Sequence, residues 1–198
     1  ELNHQRYQDW ENPMPPGVTR QSVLAFKGDV YLGLDAEKFT PKQLDYAQDH
    51  LRILSGLYGL LRPLDAMLPY RLEMGTALKT RRGKDLYGFW GTRITDAINA
   101  QLAATDSRYL LNLASNEYFR SLQKDAIDAE IIAPVFKDLS NGKYRVISYF
   151  AKRARGTMAS WVIRKKVKSP KKLTQFDGDG YRFDPDSSTE SAPVFLRG

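Results

Sequence analysis

Residues 131–168 read IIAPVFKDLSNGKYRVISYFAKRARGTMASWVIRKKVK, and this stretch decides the fold class. Two β-prone runs, Ile131–Phe136 and Lys143–Phe150, flank Ser140-Asn141-Gly142. Asn-Gly supplies the two positive-φ positions of a tight hairpin turn, so the pair reads as a β-hairpin. The second strand runs almost directly into Ala151–Lys168, where Ala154, Met158, Trp161 and Val162 recur at helical spacing. A hairpin feeding a long helix predicts mixed α+β (mixed α/β) architecture.

The same pattern extends outward. Residues 1–21, with Pro13, Pro15 and Pro16, read as a polar connecting segment. Ser22–Tyr31 (SVLAFKGDVY) reads as a short buried strand. Thr40-Pro41 is an N-cap with proline in the first helical position, and Leu44, Ala47, Leu51 and Leu54 follow at helical spacing. That helix is expected to end at Ser55-Gly56. Gly56-Leu57-Tyr58-Gly59 then reads as a tight turn between two packed elements, and Pro63 and Pro69 keep the following path irregular. Residues 92–104 form an amphipathic helix with Ile94, Ile98 and Leu102 on one face. Tyr109–Ala114 is a buried strand candidate, followed by Ser115 as N-cap. Ser169-Pro170 starts a short helix. The tail, with Tyr181, Phe183, Val194 and Phe195, reads as a closing hairpin. No internal repeat is present, and one domain spanning 1–198 is expected.

Composition narrows the function. With 198 residues and 42% apolar content, the chain can bury a core of its own. It has no cysteine, which excludes thiolate chemistry, disulfides and Cys-based metal sites. His4 and His50 read as surface residues, and no metal site or cofactor is expected. No run approaches a membrane span and residues 1–6 lack a signal-peptide core, so a cytoplasmic protein without membrane contact is expected.

Net charge is +7 and unevenly spread. Residues 143–172 hold eleven of the 30 Lys and Arg and no Asp or Glu; the remaining 19 bases face 23 acids, a net of −4. Charge concentrated in this way marks a binding face. Lys152, Arg153 and Arg155 fall in the first turn of the long helix, and Arg164, Lys165, Lys166 and Lys168 in its last. The later cluster is also what a helix C-terminus favours on dipole grounds alone; the earlier one is not.

Three further places hold candidate chemistry. The Gly56–Gly59 turn, with Tyr58 inside it and Arg62 nearby, could present backbone amides to a phosphate, as in a helix-hairpin-helix module; an ordinary tight turn is the simpler reading. Asn112, Ser115 and Glu117 cluster where a strand meets a helix, a common ligand position, but Ser115 has no His base and capping alone accounts for it. Arg71 and Glu73, between Pro69 and Gly75, line a cleft or form a structural ion pair. No P-loop, dinucleotide fingerprint or HExxH motif appears.

Phe26-Lys27-Gly28-Asp29-Val30-Tyr31, Leu54–Gly59, Leu61-Arg62-Pro63-Leu64-Asp65, Pro69–Gly75, Asn112–Ser115 and Tyr149–Gly156 together resemble the YaaA peroxide-stress family across nearly the whole chain. Members of that family usually carry a further N-terminal segment with a Ser-Pro-Ala-Lys-like motif, upstream of where this sequence starts, so the domain is expected to be incomplete at its N-terminus. The resemblance implies a role in hydrogen peroxide stress tied to low free iron. It also implies a positively charged cleft, a helix-hairpin-helix-like element and DNA binding. The expectation is a monomeric, non-enzymatic protein binding DNA without base readout through Gly56, Tyr58, Gly59, Arg62 and the basic helix, with Lys27 and Arg71 lining the cleft. The alternative is an enzyme acting on a small phosphorylated or nucleotide-like substrate, with Glu73, Asn112, Ser115 and Glu117 doing chemistry. Direct iron sequestration is the weakest reading, because no carboxylate site is visible.

Overall fold

Two glycines bring two helices into backbone contact and set the centre of the molecule. In the computed structural model, which describes residues 17–198, helix α2 (Asp29–Leu34) crosses the longest helix, α7 (Ser148–Lys165). A β-carbon built on Gly33 would stand 2.1 Å from the Arg153 carbonyl oxygen, and one on Gly156 would stand 1.8 Å from the Val30 carbonyl oxygen. Glycine costs a helix about 0.5–1 kcal/mol relative to alanine. Here it lets the backbones touch, while Ala151, Ala154, Met158 and Ile163 on the same helix are buried.

Ser22–Tyr31 is not the buried strand its apolar run suggests. It forms α1 (Ser22–Ala25) and the start of α2, broken at Phe26–Gly28, where Gly28 takes φ 139°. A short apolar run has the same composition in a buried strand and a buried helix. The Ser22 hydroxyl donates to the Arg62 carbonyl (2.6 Å), fastening α1 to the 62–65 turn. Residues 1–16, with His4 and most of the predicted connecting segment, lie outside the described residues.

Helix α3 (Pro41–His50) starts as expected: the Thr40 side chain accepts from the Gln43 amide, and the Gln43 side chain accepts from the Thr40 amide. This capping box satisfies two otherwise orphaned donors. The helix ends at His50, not at Ser55-Gly56. Leu51 turns extended, and β2 (Ile53–Ser55) pairs antiparallel with β3 (Gly59–Leu61). Beyond β3, β4 (Ala66–Met67) pairs with β1 (Arg20–Gln21). Helix α4 (Leu86–Trp90) precedes α5 (Arg93–Ala104), which buries Ile94, Ile98 and Leu102 as the spacing predicts.

Strand β5 (Tyr109–Leu111) runs parallel to β6 (Glu130–Ile132), and Tyr109 at its start is exposed rather than buried. The short helix α6 (Asn116–Phe119) is capped by Ser115 as expected. The predicted hairpin is present: β7 (Val135–Ser140) and β8 (Lys143–Arg145) turn at Asn141 (φ 52°) and Gly142 (φ 72°). Its limits differ from the prediction. Ala133-Pro134 separates β6 from β7, because proline cannot donate to a ladder, and β8 ends at Arg145 so that α7 begins three residues before Ala151. A 3-10 turn spans Pro170–Gln175. The predicted closing pair is β9 (Arg182–Asp184) and β10 (Val194–Arg197), antiparallel. The four-stranded sheet has the order β8-β7-β10-β9, with β10 parallel to β7.

The architecture is thus mixed α+β with several small sheets. Among the described residues the interior falls into three apolar clusters: α1–α3 with β2 and β4; α7 with the four-stranded sheet; and α5 with Met74, Leu86 and Leu122. In the second cluster the rings of Phe136, Phe176, Tyr181 and Phe195 pack edge-on and stacked, with neighbouring centroids 5.2–6.0 Å apart. Asp138 is buried there, and accepts from the Tyr181 hydroxyl (2.9 Å) and the Arg197 guanidinium (2.7 Å). No helix among the described residues is long and apolar enough to cross a membrane.

Candidate functional site

The basic helix is the first element to place. Because α7 starts at Ser148, Lys152, Arg153 and Arg155 occupy its second turn, where the dipole penalty expected at a first turn is weaker. They do not act as one cluster. Lys152 is exposed. Arg153 sits in an open groove of about 340 Å³ with Thr157, Ser160 and Arg164, facing Asp35 of the α2 end and Asp179. Its Nε is 3.9 Å from Asp179 Oδ2, which also accepts from the Thr157 hydroxyl (2.7 Å). Arg155 is half-buried, donates Nε to the Ala151 carbonyl, and has its guanidinium pushed to a lower pKa by that burial. Only some of the predicted cations therefore face solvent.

The later cluster is more open. Helix α7 ends at Lys165, and Lys166 takes the left-handed C-cap conformation (φ 49°). Arg164 lies over the Phe39 ring and donates Nε to Ser160 Oγ, and the Lys166 ammonium lies over the Tyr46 ring. Arg164, Lys165, Lys166, Lys168, Lys171 and Lys172 are all exposed, and none lies in a salt bridge among the described residues. Arg153 and Arg164 share one face eleven residues apart, about 16 Å along the axis.

The Gly56–Gly59 segment is not part of a helix-hairpin-helix. It connects two strands, with Ser55 opposite Gly59. Both glycines are buried by packing. A β-carbon at Gly56 would stand 2.4 Å from the Leu72 carbonyl oxygen. One at Gly59, at φ 74°, would stand 2.7 Å from the Trp90 ring. Trp90 Nε1 donates to the Gly56 carbonyl (3.0 Å), and the Tyr58 amide donates to Ser55 Oγ (2.9 Å). Glycine is required here for side-chain and backbone approach, and the Tyr58 amide is already committed. Arg62 is held by Asp65 at 3.0 Å, and Lys27 lies 3.7 Å from Glu37. Both are exposed cations with a carboxylate neighbour.

What the turn does is gather the other motifs. Leu72 and Glu73 pack on Gly56, and the Gly75 amide donates to Glu117 Oε1 (2.8 Å). Tyr70 shares a hydrogen bond with Ser55 Oγ (2.5 Å) and meets Tyr58 and Phe26 edge-on. Phe26 stacks on Tyr31. Burial first, then Tyr70 and Tyr118, raises the Tyr31 phenol above its ordinary range. Burial first, then Glu117 and Glu73, raises that of Tyr118. Arg71, Glu73 and Glu117 are exposed. Asn112 and Ser115 are spent on local backbone: Asn112 Oδ1 accepts from the Ala114 amide, and Ser115 Oγ accepts from the Tyr118 amide. Segments 26–31, 55–59, 70–75 and 117–118 thus form one aromatic and acidic assembly, although they are scattered in sequence.

The sequence profile described as peroxide stress protein YaaA matches residues 1–187. This chain belongs to the YaaA peroxide stress protein family. A UPF0246 protein of Saccharophagus degradans is 55% identical over 196 residues, covering 99% of this chain and 77% of that protein. A UPF0246 protein of Teredinibacter turnerae is 52% identical over the same shares. Membership in the YaaA family supports a role in peroxide stress.

Sequence reasoning missed one group of cations. Lys79, Arg81, Arg82 and Lys84 lie within six residues, and the structure adds Arg93 and Arg120 on the neighbouring helices. The signal, KTRRGK, was legible but overshadowed by the larger 143–172 excess. His50 is an exposed residue stacked on Tyr46, as expected. Among the described residues no group of three or more His, Asp or Glu is placed to hold a metal ion.

Proposed function

We propose that this chain binds DNA through its phosphate backbone, as a single polypeptide acting in the peroxide stress response. The observation that carries the reading is the exposed cluster Arg164, Lys165, Lys166, Lys168, Lys171 and Lys172, in a segment with no acid of its own and with no salt-bridge partner among the described residues. Such a surface neutralises successive phosphates and displaces condensed counterions. Phosphate contacts position a protein without reading bases, so duplex shape governs binding. The α7 groove is open rather than an enclosed chamber, which argues against a small phosphorylated substrate, and its Arg153 faces Asp35 and Asp179, so the DNA contact falls on the cations beyond it. Any lowering of free iron is then an indirect outcome of acting at DNA. Fluorescence anisotropy on a labelled duplex and a branched DNA, across a salt series, tests the reading. Tight binding with a steep negative salt slope supports it; no binding at low salt overturns it.

A further inference from the structure

We infer that the turn at residues 79–84, with Arg93 and Arg120, forms a second phosphodiester-binding surface, separate from the α7 cations. This inference rests on the DNA-binding reading above. Lys79, Arg81, Arg82, Lys84, Arg93 and Arg120 are all exposed, and none has a carboxylate within ion-pair distance among the described residues. The contrast with Lys27, Arg62 and Arg153 is direct, because each of those lies within 4 Å of a carboxylate. The three acids closest in sequence each accept a local hydrogen bond and lie outside ion-pair distance of these cations: Asp85 accepts from the Gly88 amide, Asp96 from the Thr92 hydroxyl and Glu117 from the Gly75 amide.

The cations are held in place. Thr80 Oγ1 accepts from the Arg82 and Gly83 amides, and the Thr80 amide donates to the Gly83 carbonyl, closing the turn. Gly83 lies flat on α4, where a β-carbon would stand 2.6 Å from the Gly88 carbonyl carbon. Arg82 and Arg93 both lie against the Phe89 ring, at 5.6 and 5.7 Å from its centroid, and Arg120 lies 4.9 Å from that of Tyr87. A guanidinium resting on an aromatic ring gives up little further freedom on binding; Arg93 already donates one N–H to the Phe89 carbonyl, so more of the phosphate contact falls to Arg82 and Arg120. These residues line neither the α7 groove nor the cavity beside Asn99 and Asp128, so an extended polyanion fits them better than a small enclosed one. Their supporting core, Leu86, Ile94 and Met74, is distinct from the one under α7. The two basic surfaces are therefore built on different parts of the fold.

The test compares the full chain with a variant carrying Arg81→Ser, Arg82→Ser and Lys84→Ser, and with one carrying Arg81→Lys and Arg82→Lys. Both are titrated with a fluorescein-labelled duplex across a salt series, with circular dichroism as the control for folding. The serine variant should bind at least about tenfold more weakly at low salt, with a log–log slope shallower by roughly 0.9 for each phosphate it no longer neutralises. The lysine variant should keep most of the slope. An unchanged slope and affinity in the serine variant, while the parent chain binds, overturns this inference and leaves the DNA reading standing. A parent chain that ignores DNA overturns both. Sedimentation with phosphatidylserine vesicles that is abolished in the serine variant, while its DNA binding is unchanged, overturns the assignment of this surface to nucleic acid.

Discussion

Gly33 and Gly156 lie at the crossing of α2 and α7, each where the other helix's backbone occupies the space of a β-carbon. Neither contact is with a flexible side chain, so a methyl group at either site must move a helix. Gly156→Ala is expected to destabilise the protein by about 3 kcal/mol or more, above the usual cost of overpacking. Gly142→Ala is the comparison: nothing lies within 4 Å of that site, and only its positive φ resists substitution, at about 1–2 kcal/mol. Urea unfolding monitored by circular dichroism ranks the two; equal destabilisation would remove the crossing from its place in the fold.

Asp138 is buried with Arg197 and Tyr181 as its donors. Replacing it with alanine leaves the buried Tyr181 phenol without its acceptor and the partly exposed Arg197 guanidinium with only the Asp179 carbonyl. The expected cost is about 3–5 kcal/mol, read by thermal unfolding. Arg62→Gln should cost no more than about 1 kcal/mol, because Arg62 pairs with Asp65 near the surface.

Alkaline pH should act through the tyrosines whose phenols are raised, Tyr31 and Tyr181 foremost. The folded pKa of Tyr31 is raised above the ordinary 10.0, by burial first and then by Tyr70 and Tyr118. The contribution is complete below pH 10. Above it, the unfolded chain releases this proton while the folded chain keeps it, so stability falls as pH rises. A single such group steepens the decline by up to about 1.4 kcal/mol per pH unit. Tyr31→Phe should flatten the stability profile above pH 10 relative to the parent chain, in urea melts at successive pH values.

Glu117 reaches the Gly75 amide across 42 residues of sequence. Glu117→Ala removes that acceptor from a stretch without regular structure. The Gly75 amide should exchange with solvent at least about tenfold faster, consistent with removal of a charge-assisted hydrogen bond of about 1.5–3 kcal/mol. Hydrogen exchange followed by NMR measures it, and an unchanged rate would show that other interactions hold the 70–75 segment.

The helices with caps and clean periodicity were legible in the residues themselves. Thr40-Pro41 with Gln43 fixes one start, and Ile94, Ile98 and Leu102 declare a buried face. Asn141-Gly142 gave its hairpin for the same local reason, since few other residues accept two positive φ angles in a row. Ser22–Tyr31 and Leu51–Leu61 misled because their apolar runs suit either element, and only tertiary partners decide. Ser22 docks on the 62–65 turn, and Ile53 pairs with Leu61. Gly56 and Gly59 were correctly seen as demanding glycine, but the demand comes from Leu72 and Trp90, which no local pattern reveals. The division of Lys152, Arg153 and Arg155 among solvent, groove and interior depends on where α7 begins and on what crosses it.

The parallel pairing of β10 with β7 carries a consequence for how the chain is made. Asp138 and Arg197, joined in the finished sheet, are 59 residues apart in sequence. Strand β10 is an inner strand, flanked by β7 and β9, so during synthesis β7 and β8 emerge from the ribosome as a two-stranded hairpin whose β7 edge is still bare. That edge stays open until Val194–Arg197 follows, and loop closure over this distance is slow compared with forming the hairpin. The second apolar cluster, which includes Phe195, is therefore complete only once β10 has been made, and the interval before β10 inserts is when a nascent chain would be most exposed to pairing with a neighbour.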